Sequence, residues 1–173
     1  MSLQSINPTN GEKIKSYSEQ SFSEIREILN DSNVSQKLWS ESKVDFRLEC
    51  LKNLIEILID NKKEYSLLIS QEMGKPLNQS KAEIDKCVTL CEYYYENAEL
   101  FLLDNEVEIS GLRSFVTKQP IGLVLGVMPW NFPFWQVFRF AVPTIISGNG
   151  AILKHASNVQ GCANAIESCF YKS

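Results

Sequence analysis

Through the first hundred residues apolar positions recur at helical spacing; beyond about residue 105 they fall into short alternating or continuous runs punctuated by glycine. Leu48, Leu51, Leu54, Ile55, Leu58 and Ile59 share one helical stripe, so residues 44–59 are predicted as an amphipathic helix. A helix over 63–73 follows, closed by Gly74 with Pro76 just beyond. Ile84, Cys87, Val88, Cys91, Tyr95, Ala98 and Leu102 form the stripe of a longer helix. Ser21 with Glu24, and Ser80 with Glu83, have the spacing of capping boxes that open helices. Ahead of them, Asn7-Pro8-Thr9-Asn10-Gly11 reads as a turn between short strands at 3–6 and 13–17.

The second part of the chain reads differently. Residues 106–110 and 113–119 flank Gly111, and the alternation in Arg113-Ser114-Phe115-Val116-Thr117-Lys118 predicts a β-hairpin arm that Pro120 ends. Ile121-Gly122-Leu123-Val124-Leu125-Gly126-Val127-Met128 is continuously apolar, the pattern of a strand buried on both faces. A helix is expected over 134–146, kinked or restarted at Pro143, and Ser147-Gly148-Asn149-Gly150 stops it. Ala151-Ile152-Leu153-Lys154 predicts a second buried strand, and 158–171 a last helix. Strand–helix–strand–helix implies a parallel βαβα unit with a right-handed crossover. The fold class is therefore α/β: mainly helical over 1–105, a hairpin arm over 106–119, and the start of a parallel sheet over 120–173. Two parallel strands cannot cover their own faces and edges, and doubly wound sheets have more strands, so the pattern is expected to be the front part of a larger domain.

Composition narrows the function classes. The 173 residues carry a net charge of -4, with 17 basic side chains scattered among 21 acidic ones. A nucleic-acid partner, which would need clustered Lys and Arg, is not expected. No apolar stretch reaches the roughly 18 residues of a membrane span, and Met1 to Pro8 lacks a secretory leader pattern. Five cysteines without a CxxC pair predict neither a zinc cluster nor a thioredoxin motif; they read as reduced thiols in a cytosolic protein. Cys87 and Cys91, four apart, read as small apolar residues facing a core. His155 is the one histidine, so any mechanism needing two is excluded within this chain.

Candidate chemistry gathers at the predicted carboxyl ends of the two parallel strands, where open α/β sheets bind ligands. Asn131, in Met128-Pro129-Trp130-Asn131-Phe132-Pro133, can donate to a developing oxyanion or serve as an ordinary turn or N-cap residue. Lys154 can hydrogen-bond ribose hydroxyls or a phosphate or remain a solvated surface lysine. Ser157 can join such a site or cap the next helix. His155 reads as a strand-end residue without catalytic duty. There is no GxGxxG, and Gly148-Asn149-Gly150 reads as a turn.

Four blocks, in order and in register, resemble the aldehyde dehydrogenase superfamily: Ile6-Asn7-Pro8-Thr9-Asn10-Gly11, Glu72-Met73-Gly74-Lys75-Pro76-Leu77, the run from Pro120 through Trp130-Asn131 to Pro133, and Gly148-Asn149-Gly150-Ala151-Ile152-Leu153-Lys154. The resemblance covers essentially the whole chain and corresponds to about the first third of the family fold. Lys154-His155-Ala156-Ser157-Asn158 most resembles bacterial succinate-semialdehyde dehydrogenases. The resemblance implies an incomplete Rossmann-like unit and NAD- or NADP-dependent oxidation of an aldehyde through a cysteine thioester. It implies that Asn131 is the oxyanion-hole asparagine, that Met128, Pro129 and Trp130 line the nicotinamide, and that Lys154 contacts the adenosine ribose. Many family members carry an acidic residue where Ser157 stands; a neutral serine there implies tolerance of NADP. The hairpin implies homo-oligomer contacts. No cysteine here occupies the nucleophile's context, and the resemblance implies that the nucleophile and the general-base glutamate lie beyond this chain, so the chain is expected to be inactive by itself and to associate with the part that carries them. A contrasting expectation is a truncated, non-catalytic remnant that serves as a protein-interaction module.

Overall fold

A computed structural model describes residues 3–173. Met1 and Ser2, which begin the stretch read above for a leader pattern, lie outside the described residues. Strands β1 (Leu3–Ile6) and β2 (Lys13–Tyr17) pair antiparallel around the expected turn. Asn7 builds that turn: its side-chain oxygen accepts from Thr9 N at 2.9 Å, and its carbonyl accepts from Gly11 N at 2.8 Å. Helix α1 (Phe22–Glu41) opens on the expected capping box, with Ser21 and Glu24 each accepting from the other's backbone N–H. Helices α2 (Val44–Asp60) and α3 (Lys62–Met73) follow. Gly74 ends α3 at φ 74°, in the left-handed region, and any Cβ there would approach Pro8 Cγ to 2.9 Å. Glycine is thus required twice over, by conformation and by space.

Helix α4 (Leu77–Leu102) is the long helix of the apolar stripe. Ile84, Cys87, Cys91 and Ala98 are buried on it as expected, but Tyr95 is exposed and Tyr94 packs partly against the core instead. The Ser80–Glu83 capping box does not form. Pro76 is the N-cap, so Ser80 and Glu83 stand inside the helix, both buried. Proline suits a helix start because it has no N–H to leave unpaired, and this moves the start ahead of the serine.

The hairpin is strands β3 (Asn105–Ile109) and β4 (Leu112–Val116), antiparallel around Ser110-Gly111. Strands β5 (Leu123–Val127) and β6 (Gly150–Lys154) then pair in parallel, joined by helix α5 (Trp135–Ile146), and helix α6 (Gln160–Lys172) follows. Pro143 neither breaks nor restarts α5. Gly148, at φ 86°, turns the chain into β6. Strand β5 departs from the expectation of burial on both faces: Leu125 and Val127 are 62% and 66% exposed. Its other face is tightly covered, since a Cβ on Gly126 would meet the Phe140 ring of α5 at 2.5 Å. Helix α1 reaches the open side only at the Leu123–Gly150 end, where Gln36 lies against Gly150. A pair of strands with α5 on one face leaves the rest of the opposite face apolar and open. No helix among the described residues is long and apolar enough to cross a membrane.

The core lies where α2, α3, α4, α5 and α6 converge on Leu54, Leu58, Ile69, Ile84, Cys87, Phe138 and Ile166, all nearly or wholly inaccessible. One buried acid organises its edge. The Glu72 carboxylate on α3 accepts from Gly161 N and Cys162 N, each at 2.8 Å, and from the Ser5 hydroxyl of β1. It therefore caps α6, which has no side-chain cap of its own, and ties β1 to the helices.

Glu72→Ala removes the acceptor of three donors, two of them buried, and we expect it to lower unfolding free energy by roughly 2–4 kcal/mol. Glu72→Gln, which keeps one acceptor oxygen, should lose less. Urea denaturation of the three proteins measures the order, and an alanine variant as stable as the parent would contradict it.

Candidate functional site

The segment 128–134 leaves the carboxyl end of β5 and must turn sharply to start α5. Four contacts from other elements hold it. Met128 N donates to Lys154 O at 3.0 Å, extending the β5–β6 ladder and setting Met128 beside Lys154. Lys75 Nζ sits 3.7 Å from the centroid of the Phe132 ring, a cation–π contact. The Pro133 carbonyl pairs with His155 Nε2 at 2.9 Å. Finally, Glu83 Oε1 accepts from Phe134 N at 2.9 Å and Trp135 N at 3.1 Å. That last pair caps α5, which, like α6, has no cap within its own segment.

Glu83 and Lys75 form an ion pair whose side chains are 1% and 6% exposed. Removing two charges from water costs several kcal/mol per ion, offset only where further hydrogen bonds meet the remaining lone pairs. Here they do: one carboxylate serves the ammonium and two helix N–H groups, and the ammonium also faces an aromatic ring. His155 is 5% exposed and bonded at both nitrogens. Ala156 N donates to Nδ1 at 2.8 Å, so Nε2 carries the proton and donates to Pro133 O. The ring is thereby fixed as a neutral tautomer, and burial lowers its pKa from the ordinary 6.5.

Held between these contacts, Asn131 projects from the loop exposed, with no hydrogen-bond partner for its amide among the described residues. It is not the N-cap of α5, a position that Phe134 takes. Trp130 and Phe132 flank it, both substantially exposed; Pro129 is exposed and Met128 rests partly on the core. Lys154 is exposed at the end of β6, without an ion pair among the described residues. Ser157 is exposed in the segment before α6 and does not cap it, since Val159 is the N-cap. Met128, Pro129, Trp130 and Asn131 thus share one loop, and strand pairing brings Lys154 to its root. Ser157 follows three residues on and makes no hydrogen bond to the loop.

The cysteines are all free. Cys87, Cys91, Cys162 and Cys169 are buried, and burial pushes their thiols up, that of Cys91 to about 12. Half-buried Cys50 is raised for the same reason. None is poised as a thiolate nucleophile. Among the described residues no group of three His, Cys, Asp or Glu side chains could hold a metal ion. Sequence reasoning missed the positioning roles of Glu83, Lys75 and Glu72. A signal was present for Glu83: it lies on the same helical stripe as Ile84, Cys87 and Cys91, so its charge had to be buried and paired.

The profile of the aldehyde dehydrogenase family matches residues 1–173. A Synechocystis protein named "Probable succinate-semialdehyde dehydrogenase", NADP(+)-type, is 39% identical over 170 residues, covering 98% of this chain and 37% of that protein. The Escherichia coli succinate semialdehyde dehydrogenase Sad, NAD(P)+-type, is 38% identical over 166 residues, covering 96% of this chain and 36% of that protein. The crystal structure of succinic semialdehyde dehydrogenase from Streptococcus pyogenes with NADP+ superposes at a TM-score of 0.95 with 28% identity, covering 98% of this chain and 37% of that one. The chain therefore spans little more than a third of the length of these relatives.

The His155 geometry sets a pH response. Unfolded, the imidazole binds a proton near 6.5; folded, it resists one. Stability is full above that value and declines as pH falls from 6.5 through the lower folded pKa. Thermal melts between roughly pH 5 and pH 8 should show it, and His155→Gln should reduce the acid-side slope. A parent melting temperature that rises on acidification across that range would refute the assignment.

Proposed function

Since the chain belongs to the aldehyde dehydrogenase family, we propose that it supplies the oxyanion donor and part of the dinucleotide wall of an NAD(P)-dependent aldehyde dehydrogenase acting on succinate semialdehyde. The observation that carries this reading is the placement of an unpartnered amide, Asn131, on a loop fixed by Glu83, Lys75 and His155 at the carboxyl ends of parallel strands. A donor fixed before reaction needs no reorganisation when negative charge develops on a carbonyl oxygen. The substrate reading rests on the two bacterial relatives and the S. pyogenes structure, whose names specify that aldehyde.

The residues present suit a dinucleotide. Exposed Trp130 and half-buried Met128 offer an apolar wall, and the unpaired Lys154 ammonium can hydrogen-bond ribose hydroxyls or a phosphate. Bound there, NAD(P)+ would accept the hydride of the aldehyde. Ser157 places no carboxylate beside Lys154, so a 2′-phosphate meets no repulsion and NADP+ is accepted with NAD+. With all five thiols shielded and raised in pKa, the nucleophile comes from outside these residues, as does the general base. The chain by itself is then inactive. The free thiols also support a reducing, cytosolic location.

The β3–β4 hairpin serves, in this reading, as an association arm between subunits. It carries Val107, Leu112, Phe115 and Val116 exposed to solvent, a display that a lone subunit has no reason to keep.

In an active aldehyde dehydrogenase that carries this segment, Asn131→Ala should lower kcat about 10²–10³-fold while NADP+ affinity stays within a factor of about two. Ser157→Glu in the same enzyme should weaken NADP+ relative to NAD+. Full activity in the alanine variant would sink the assignment of the amide. For the arm, Leu112→Asp with Phe115→Asp should shift the sedimentation of that enzyme toward smaller species; an unchanged distribution would remove the hairpin from the interface.

A further inference from the structure

Leu123 and Gly150 begin β5 and β6 at the end opposite to Asn131 and Lys154. A cavity of about 460 Å³ opens there between α1, α2, α5, the strands and the end of α6, where Phe170 and Ser173 line it, within the range of small-molecule pockets. Leu51, Leu54, Ile146 and Ala151 give it apolar walls. Two of its neutral donors are already engaged around the end of α5: Gln36 Nε2 donates to Gly148 O at 3.0 Å and Trp39 Nε1 to Ile145 O at 2.7 Å, while the Ser32 and Ser35 hydroxyls stand at its α1 side.

Arg47 is different. It lines the same cavity, is 7% exposed, and sets Nη1 within 2.6 Å of the place a Cβ on Gly148 would take. Its Nε is buried with no hydrogen-bond partner, and among the described residues no carboxylate ion-pairs with its guanidinium. Asp31 also lines the cavity without pairing to it. A buried cation with no counter-charge is costly to the fold, and its planar fork of donors matches a carboxylate in two-point contact.

We propose that this cavity binds a small amphipathic carboxylate, the anionic head on Arg47 and the hydrocarbon among Leu51, Leu54 and Ile146. Inorganic phosphate would answer the charge and leave the walls unmet; a neutral alcohol of the same length would do the reverse. Neither combines the two features that the cavity sets side by side. This site stands apart from the family reading above and does not depend on it.

Octanoate is the probe. Titrated into the 173-residue chain by calorimetry, it should bind at one site and raise the melting temperature, whereas 1-octanol and inorganic phosphate should bind at least about ten-fold more weakly. Arg47→Met should cost octanoate about ten-fold or more in affinity, and Arg47→Lys, which keeps charge but loses the fork, should cost less. Ala151→Leu fills the cavity while retaining the cation and should also abolish binding, with its circular dichroism unchanged. Where Arg47→Met fails to fold, the lysine and leucine variants decide. Octanoate binding that is absent, matched by octanol, or indifferent to both Arg47→Lys and Ala151→Leu overturns the proposal. So does concentration-dependent self-association through this face that octanoate cannot displace.

Discussion

Two carboxylates buried on one helix pair govern the architecture. Glu72 near the end of α3 and Glu83 in the second turn of α4 each accept two backbone N–H groups from the start of a distant helix, α6 and α5 respectively. Neither receiving helix has a side-chain cap of its own. The first N–H groups of a helix need acceptors, and the positive end of its dipole favours an anion. A local Ser or Asp could meet that need without fixing anything else. A carboxylate supplied from 51 or 90 residues away meets it only when the helices have docked, so capping and tertiary packing become one event.

That coupling explains the precision of the loop after β5. Its start is fixed by strand pairing, its middle by the Lys75 ammonium on Phe132, and its end by His155 and Glu83. All the fixed groups are backbone atoms or the flanking aromatic ring. The Asn131 amide between them is left free, and the proposed role toward a reacting carbonyl rests on that combination of a rigid base and an uncommitted head. The Glu72-Met73-Gly74-Lys75-Pro76 block takes its meaning from the same contacts. Its acid caps α6, its lysine pairs with Glu83, and its glycine lets the chain reverse against Pro8.

Most of the elements could be read from pattern. The strands at 3–6 and 13–17, the α1 capping box, the Gly74 stop, the hairpin and the β5–α5–β6 order follow from turn chemistry and hydrophobic period, which act over a few residues. The errors share a cause. Ser80 and Glu83 have capping-box spacing, but Pro76 starts the helix earlier and Glu83 is drawn into the core by Lys75 and α5. Tyr95 fits the stripe by count, yet the helix turns Tyr94 inward. The apolar run in β5 predicts burial on both sides, while among the described residues α5 covers one face and α1 only the Leu123 end of the other.

Sequence alone determined the identity of the elements, their order, the family likeness and the placement of Asn131 and Lys154 at strand ends. Each of these depends on local residue type or on short spacing, and both are written along the chain. Tertiary structure alone decided which charges are buried, which nitrogen of His155 holds its proton, and that Arg47 faces an apolar cavity without a counter-ion. Those outcomes depend on desolvation and on partners brought from up to 90 residues away, and no local pattern encodes the distance between groups that meet only after folding.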